Sequence, residues 1–334
     1  MDSLTHLVLG AAIGEALLGK QLGKRAMLWG ALADTIPDVD VLFSPFFHQP
    51  ESLMIHRGIT HSLLFALIFS PLLGKVFSSI KLNRQTTFKN WTILFALGML
   101  THILIDAFTS YGTGWFEPFS HYRVTFNSIF VADVFYTIPF LVCVIALLIL
   151  KRESPKRKIW NRAGLIISTM YMLFTFINKA YVNSVFQSSL KEQNISYSRY
   201  FSTPTPLNNF LWMAVAEDTT GYFVGYYSDF DHDKNIHFSR VERNAQFLEG
   251  RSDKHLTDGL KWFSYNYYCV TRHDSCTYFN DLRFGQLGGW SDPTVPFAFS
   301  YNLDAKSKQG LNRGNFKGSI GDAFNSLVKR IEGN

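Results

Sequence analysis

Four apolar runs, residues 59–79, 91–109, 129–150 and 163–182, limit what this chain can fold into more than any other feature. Each is close to the ~20 apolar residues a helix needs to cross a bilayer. Backbone N–H and C=O groups in hydrocarbon must be satisfied within the segment, so the runs read as transmembrane helices. Residues 4–19 form a marginal span, shorter and interrupted by Glu15, and residues 26–33 read as a half-helix. The predicted fold class is an α-helical polytopic membrane domain over residues 1–182, with about four long spans, the marginal N-terminal helix and the half-helix. A β-rich extracytoplasmic domain over residues 183–334 follows.

The net charge of +6 agrees with this reading. The basic excess sits in short runs beside apolar segments, as in membrane proteins. No basic-aromatic nucleic-acid motif is present, so no nucleic-acid partner is expected. Asp2 and His6 stand where a cleavable signal would carry basic residues, which argues against one. Lys20, Lys24 and Arg25, then Lys81, Arg84 and Lys89, then six Lys/Arg in residues 151–162 mark three cytoplasmic segments. The loops 34–58 and 110–128 and the C-terminal half then lie outside. Small residues Gly10, Ala11, Ala12 and Gly14 would let the first helix pack closely on a neighbour.

In the second half, residues 210–217, 221–228, 236–242, 264–271, 277–284 and 296–301 read as strands. The first two are joined as a hairpin through Asp218, Thr219 and Thr220. Residues 321–331 read as a terminal helix. Cys269 and Cys276 flank a short turn and are expected to pair as a disulfide outside the cytoplasm, whereas Cys143 lies in a span and is expected to be inert.

The residues that suggest chemistry are histidines and aspartates at the outer ends of the apolar runs. His56 and His61 lie five residues apart around Gly58, with Arg57 between them, and a helix beginning at Thr60 would put His61 in its first turn. The dipeptide Thr-His recurs at Thr5-His6, Thr60-His61 and Thr101-His102. Pro37 should stop the half-helix near Thr35, leaving Asp34, Asp38 and Asp40 on a tight extended turn. His102 and Asp106 are i,i+4 and share one helix face. Ionisable groups at membrane depth cost on the order of 3 kcal/mol each, and a bound metal offsets that cost. His6, Asp34, Asp38, Asp40, His56, His61, His102 and Asp106 are therefore the expected ligands of a divalent metal, zinc by its His/Asp chemistry, with two or more ions allowed. Asp34, or one of Asp38 and Asp40, would bridge metals or act as general base, and Arg57 would receive a phosphate oxygen. His48 and His121 read as interfacial bystanders. Asp133 stays open between ligand and structural partner, as does Asp2.

Taken in order, the segments 2–6, 34–40, 56–62 and 102–106 resemble the membrane-bound, metal-dependent hydrolases of the LexA-binding, inner-membrane-associated type. The His-x-x-x-Asp element is also similar, more distantly, to that of zinc-dependent phospholipases C and related single-strand nucleases. The resemblance implies a hydrolase of the bacterial inner membrane and leaves the substrate open. The mechanism that fits is metal-assisted hydrolysis of a phosphoester in a lipid or lipid-linked substrate at the outer face. Two competing readings remain. One is a metal or proton transporter, although Glu15, the one deeper acid, falls on the opposite helical face from His6. The other is a membrane-anchored binding module.

Overall fold

The computed structural model describes residues 1–80, 86–273, 275–304, 311–312 and 320–333. The chain divides into two compact units. The first comprises Met1–Pro45, Ile55–Phe176 and Pro206–Asn208, and the second Phe46–Met54, Ile177–Thr205 and Asn209–Asn334.

Helix α1 (Ser3–Leu22) opens the first unit, capped by the Asp2 carboxylate, which accepts from the Leu4 and Thr5 amides. Gly23, at φ 60°, turns the chain into α2 (Lys24–Thr35). The two helices touch through glycine, as the small residues predict. A Cβ on Gly10 would lie 2.4 Å from Gly30 O, and one on Gly14 2.0 Å from Ala26 O. Helix α2 stops at Thr35 as expected, but Pro37–Leu42 winds into a 3-10 turn instead of extending. The short α3 (Glu51–Ile55) follows. A second 3-10 turn, Ile59–His61, precedes α4 (Leu63–Ser79). The helix therefore starts later than Thr60, because the Ser62 hydroxyl caps it by accepting from Phe65 N at 3.0 Å. Next come α5 (Phe88–Ala107), α6 (Val134–Ile149) and α7 (Lys156–Glu192). The last contributes 156–176 to the first unit and 177–192 to the second.

The spans are fewer than the four predicted. Among the described residues, α5 and α7 are long and apolar enough to cross a membrane, and the bent pair Glu51–His61 and Leu63–Ser79, at 56°, makes three at most. Capping explains the shortfall. Ser62 trims the 59–79 run to a 17-residue helix, and Asp133 caps α6 at its start, leaving 16 residues. At 1.5 Å per residue α6 reaches about 24 Å, short of the ~30 Å hydrocarbon core.

The second unit holds two antiparallel four-stranded sheets. One runs β1 (Arg199–Pro204), β2 (Leu211–Glu217), β3 (Gly221–Ser228), β4 (Phe238–Glu242). After α8 (Lys254–Phe263) comes the other, β5 (Tyr268–His273), β6 (Cys276–Asp281), β7 (Ser300–Asn302), β8 (Leu311–Asn312), and then α9 (Ile320–Ile331). Strand β2 is buried throughout because both its faces are covered. Trp212 and Ala214 pack with Val182 and Phe186 of α7, while Met213 and Val215 pack with Tyr222 and Cys269. The second sheet buries Val270, Phe279 and Tyr301 against Leu260 of α8.

The expected disulfide is absent. Cys269, Cys276 and Cys143 are all free. In the β5–β6 ladder Cys269 stands opposite Asn280 and Cys276 opposite His273. Four residues of strand offset put them roughly 13 Å apart, about twice the reach of a disulfide.

Candidate metal centre

The glycine-lined contact of α1 with α2 fixes the first wall of the site. A Cβ on Gly98 of α5 would lie 2.8 Å from Ala33 Cβ and 3.0 Å from Asp34 N, so α2 and α5 meet closely at the end of α2. There Asp34 Oδ2 lies 3.0 Å from His6 Nδ1 and 3.7 Å from His102 Nδ1. The His6 and His102 rings stack with centroids 3.6 Å apart. The two 3-10 turns supply the facing wall, carrying Asp38 and Asp40 on one and His61 on the other.

Four side chains converge. His61 Nε2 lies 3.1 Å from His102 Nε2, 3.5 Å from Asp38 Oδ1 and 3.4 Å from Asp106 Oδ2. His102 Nε2 lies 3.4 Å from Asp38 Oδ1 and 3.6 Å from Asp106 Oδ2. Four donors held about 2.1 Å from a central ion in a tetrahedron are separated by about 3.4 Å. Five of the six edges of that tetrahedron are thus present between these atoms. Asp106 Oδ2 and His102 Nδ1 are buried without a hydrogen-bond partner. Two imidazole nitrogens facing each other, beside carboxylate oxygens of Asp38 and Asp106, form a donor set that fits a metal ion.

A neutral imidazole offers one lone pair, and its other nitrogen carries a proton. His102 belongs to the four-residue group through Nε2 and to a second group, His6, Asp34 and His102, through Nδ1, so it serves one at a time. With Nε2 at the convergence point, Nδ1 faces Asp34. His61 repeats the pattern: Nε2 points inward, and Nδ1 lies 3.3 Å from Asp40 Oδ2 and 3.1 Å from Thr60 Oγ1. A carboxylate behind each histidine fixes its ring and raises its basicity. A third group, Asp38, Asp40 and His56, borders the first, with His56 Nδ1 3.0 Å from Asp40 Oδ1.

Burial raises the pKa of Asp38 and Asp40, but their histidine hydrogen bonds outweigh it, so both stay below the usual carboxylate range. Arg57 Nε is 3.1 Å from Asp106 Oδ2, and its Nη1 donates to Thr109 Oγ1 at 2.9 Å while the guanidinium covers the Tyr111 ring. The Met1 amine also pairs with Asp106, and His6 Nε2 lies 3.2 Å from the same carboxylate. The inner groups are fully buried. Asp38 and His56, at 24% and 28% side-chain exposure, form the edge that reaches solvent.

The structure therefore brings together His6, Asp34, Asp38, Asp40, His56, His61, His102 and Asp106, with Arg57 alongside. Asp2 is instead the α1 cap, and Asp133 caps α6 and accepts from Tyr171 Oη at 3.0 Å. His48 is exposed, and His121 pairs with Glu117 on the surface. Glu15 is bound by Arg157 at 2.6 Å. Sequence reasoning missed the threonines. Thr60 donates to Asp40 Oδ2 at 2.8 Å, and Thr101 Oγ1 lies 3.1 Å from Asp34 Oδ1. The recurring Thr-His dipeptide was the signal: each of these two threonines holds the carboxylate behind the histidine that follows it.

These residues all fall in the segment that the model of the YdjM inner membrane protein family matches, residues 1–182. The chain belongs to this family. Among curated relatives, the inner membrane protein YbcI of Escherichia coli (strain K12) is 34% identical over 122 residues, covering 36% of this chain and 69% of that protein. The uncharacterized protein YfhP of Bacillus subtilis (strain 168) is 28% identical over 151 residues, or 43% of this chain, which spans 45% of that protein's length. No solved structure matches the chain significantly. A YdjM-family chain with these apolar helices is a membrane protein, and its His/Asp cluster is placed to hold a metal.

Proposed function

We propose that this chain is a metal-dependent hydrolase of the bacterial inner membrane, acting on a phosphoester of a lipid or lipid-linked substrate. The observation that carries the reading is the near-tetrahedral spacing of His61, His102, Asp38 and Asp106. The buried His61, His102 and Asp106 would hold the ion, with the fourth position, on the side of the solvent-edge Asp38, left to water or substrate, and zinc suits such a His/Asp donor set. When bound, a divalent metal brings the pKa of a coordinated water down towards ~7 and polarises an acyl or phosphoryl oxygen. Asp40 and Asp34 orient the two histidines. Asp34, joined to both His6 and His102, is also the group able to accept a proton, or to bridge if a second ion is held. Arg57 steadies Asp106 and brings the positive charge that would meet a phosphoryl oxygen.

The lipid assignment rests on the rim. Val39, Val41, Leu42 and Phe43, beside Asp38 and Asp40, are exposed apolar side chains. Such a border suits an acyl chain better than a free sugar or nucleotide. In this reading the cluster faces the extracytoplasmic side, as the basic residues suggest.

Elemental analysis of the purified protein, paired with assays on bis-p-nitrophenyl phosphate and a chain-labelled phospholipid, tests the proposal. The wild type should carry about one divalent ion per chain, and His61→Ala or His102→Ala should lose most of it along with any turnover. Wild-type metal content in both variants would sink the metal centre. Metal without phosphoester cleavage, together with ion flux in sealed vesicles, would favour the transporter.

A further inference from the structure

At the other end of α1, roughly 20 Å along the helix from His6, lies a cavity of about 800 Å³ that the proposed reaction does not use. It is lined by the last turns of α1, the α6–α7 link and the first turns of α7, with five basic residues, Lys20, Arg152, Arg157, Lys158 and Arg162. Two acids face them. Glu15 is already taken by Arg157, at 2.6 and 2.8 Å, and Glu153 is exposed. Arg152 is held in place by donating to Lys20 O at 2.8 Å and Gln21 O at 2.9 Å. Lys20, Lys158 and Arg162 make no ion pair with any described residue, so positive charge is left over in a partly enclosed space. Asn161 is 6% exposed, lines the cavity, and its Oδ1 has no hydrogen-bond partner. The cavity thus offers cationic donors and one buried acceptor.

We infer that this cavity binds the headgroup of an anionic glycerophospholipid, its phosphate on Lys158, Arg162 and Lys20 and a headgroup hydroxyl on Asn161. Two features favour a lipid over a free phosphate. The cavity includes the apolar Leu17 and Leu165 beside its charges. It also opens beside the exposed apolar face of α7, where Ile159, Trp160, Ile166 and Met170 lie along the helix. Acyl chains can follow that face while the phosphate sits among the basic groups, the usual way a basic pocket at a membrane surface holds a lipid. Trp160 adds the amphipathic ring that gathers at such interfaces. The N-terminus of α7, at Lys156, contributes further positive potential.

The test is native mass spectrometry of the full-length protein, released from micelles holding equimolar phosphatidylglycerol and phosphatidylcholine. The wild type should retain phosphatidylglycerol preferentially. In Lys158→Gln/Arg162→Gln the retained phosphatidylglycerol should fall about 25-fold, at roughly fivefold per basic contact. Both side chains are exposed, so the variant should fold, and its metal content should match the wild type. With equimolar phosphatidylglycerol and phosphatidic acid in the micelles, Asn161→Leu should reduce the preference for phosphatidylglycerol, and an unchanged preference would overturn the Asn161 contact. Equal retention of the two lipids by the wild type, or a double variant that retains as much phosphatidylglycerol, would overturn the inference. Retention of inorganic phosphate in place of any lipid would overturn it too, making the cavity a soluble-anion site.

Discussion

The two units each hold a buried charge cluster, and these two clusters are built in opposite ways. In the second, Asp281 and Arg283 are both buried and close on each other: Arg283 Nη2 donates to Asp281 Oδ2 at 2.6 Å, and Nε donates to Oδ1 at 3.0 Å. Phe263, Tyr265 and Phe284 surround the guanidinium. Nothing is left over for a ligand. In the first unit the four carboxylates of Asp34, Asp38, Asp40 and Asp106 outnumber the one guanidinium among them, Arg57, which pairs with Asp106. Histidines fill the gaps, two of them with ring nitrogens facing one another at 3.1 Å. A closed pair is architecture. An open, acceptor-rich cluster is one that could hold a cation, since buried charge is tolerated only when it is paired or bound to metal.

This contrast is sharpened most by breaking the closed pair. Asp281→Leu should destabilise the second unit by about 3–5 kcal/mol, because Arg283 is left charged in the interior. Asp281→Leu/Arg283→Met should recover most of that loss, since a buried pair and its apolar replacement are close in energy. Urea unfolding followed by tryptophan fluorescence reads both, with metal content expected at the wild-type level throughout. A double variant as unstable as the single one would mean that the pair does more than satisfy itself.

The sequence made the open cluster visible and hid the closed one. Imidazoles at the ends of apolar runs stand out because they violate the hydrocarbon pattern, so His6, His61, His102 and Asp106 were legible before any fold. The fine geometry was not. Local capping decides it: Ser62 shifts the start of α4 and leaves His61 in a 3-10 turn, and Asp133 shortens α6 below membrane width. Caps act over three or four residues and leave hydropathy averages almost unchanged, which is why spans were overcounted. In the second unit period-2 patterning located six strands near their observed positions but missed β1, the two-residue β8 and the amphipathic α8. The β5–β6 register, which separates Cys269 from Cys276, depends on cross-strand pairing that spacing alone does not encode.

A smaller effect is expected one layer behind the proposed metal. Asp40 touches His56 and His61 and receives the Arg57 amide and the Thr60 hydroxyl, yet it lies outside the four converging donors. Asp40→Asn should keep the ion at saturating metal but weaken it about 10- to 100-fold, the usual cost of losing a carboxylate behind a ligating histidine. Competition with a chelator of known affinity measures this. Complete loss of metal would instead make Asp40 a ligand and move the centre towards the group of Asp38, Asp40 and His56.

The smallest effect concerns the thiols, where the sequence suggested chemistry and the second unit holds only packing. Cys269 lies in the core between the sheets, and burial pushes its thiol up to about 12 despite a hydrogen bond from Asn280. Such a thiol is thiolate to about one part in ten thousand at pH 8 and should hardly react. Cys276 is half-buried on the opposite strand beside His273, with no sulfur in reach. A maleimide should therefore label one cysteine of the folded protein quickly, Cys276, at the same rate with and without reductant. Cys276→Ser should abolish the fast phase and leave the urea midpoint nearly unchanged, since the missing crosslink constrained nothing. A fast phase that emerges only after reduction would restore the disulfide and with it a β5–β6 register shifted by several residues.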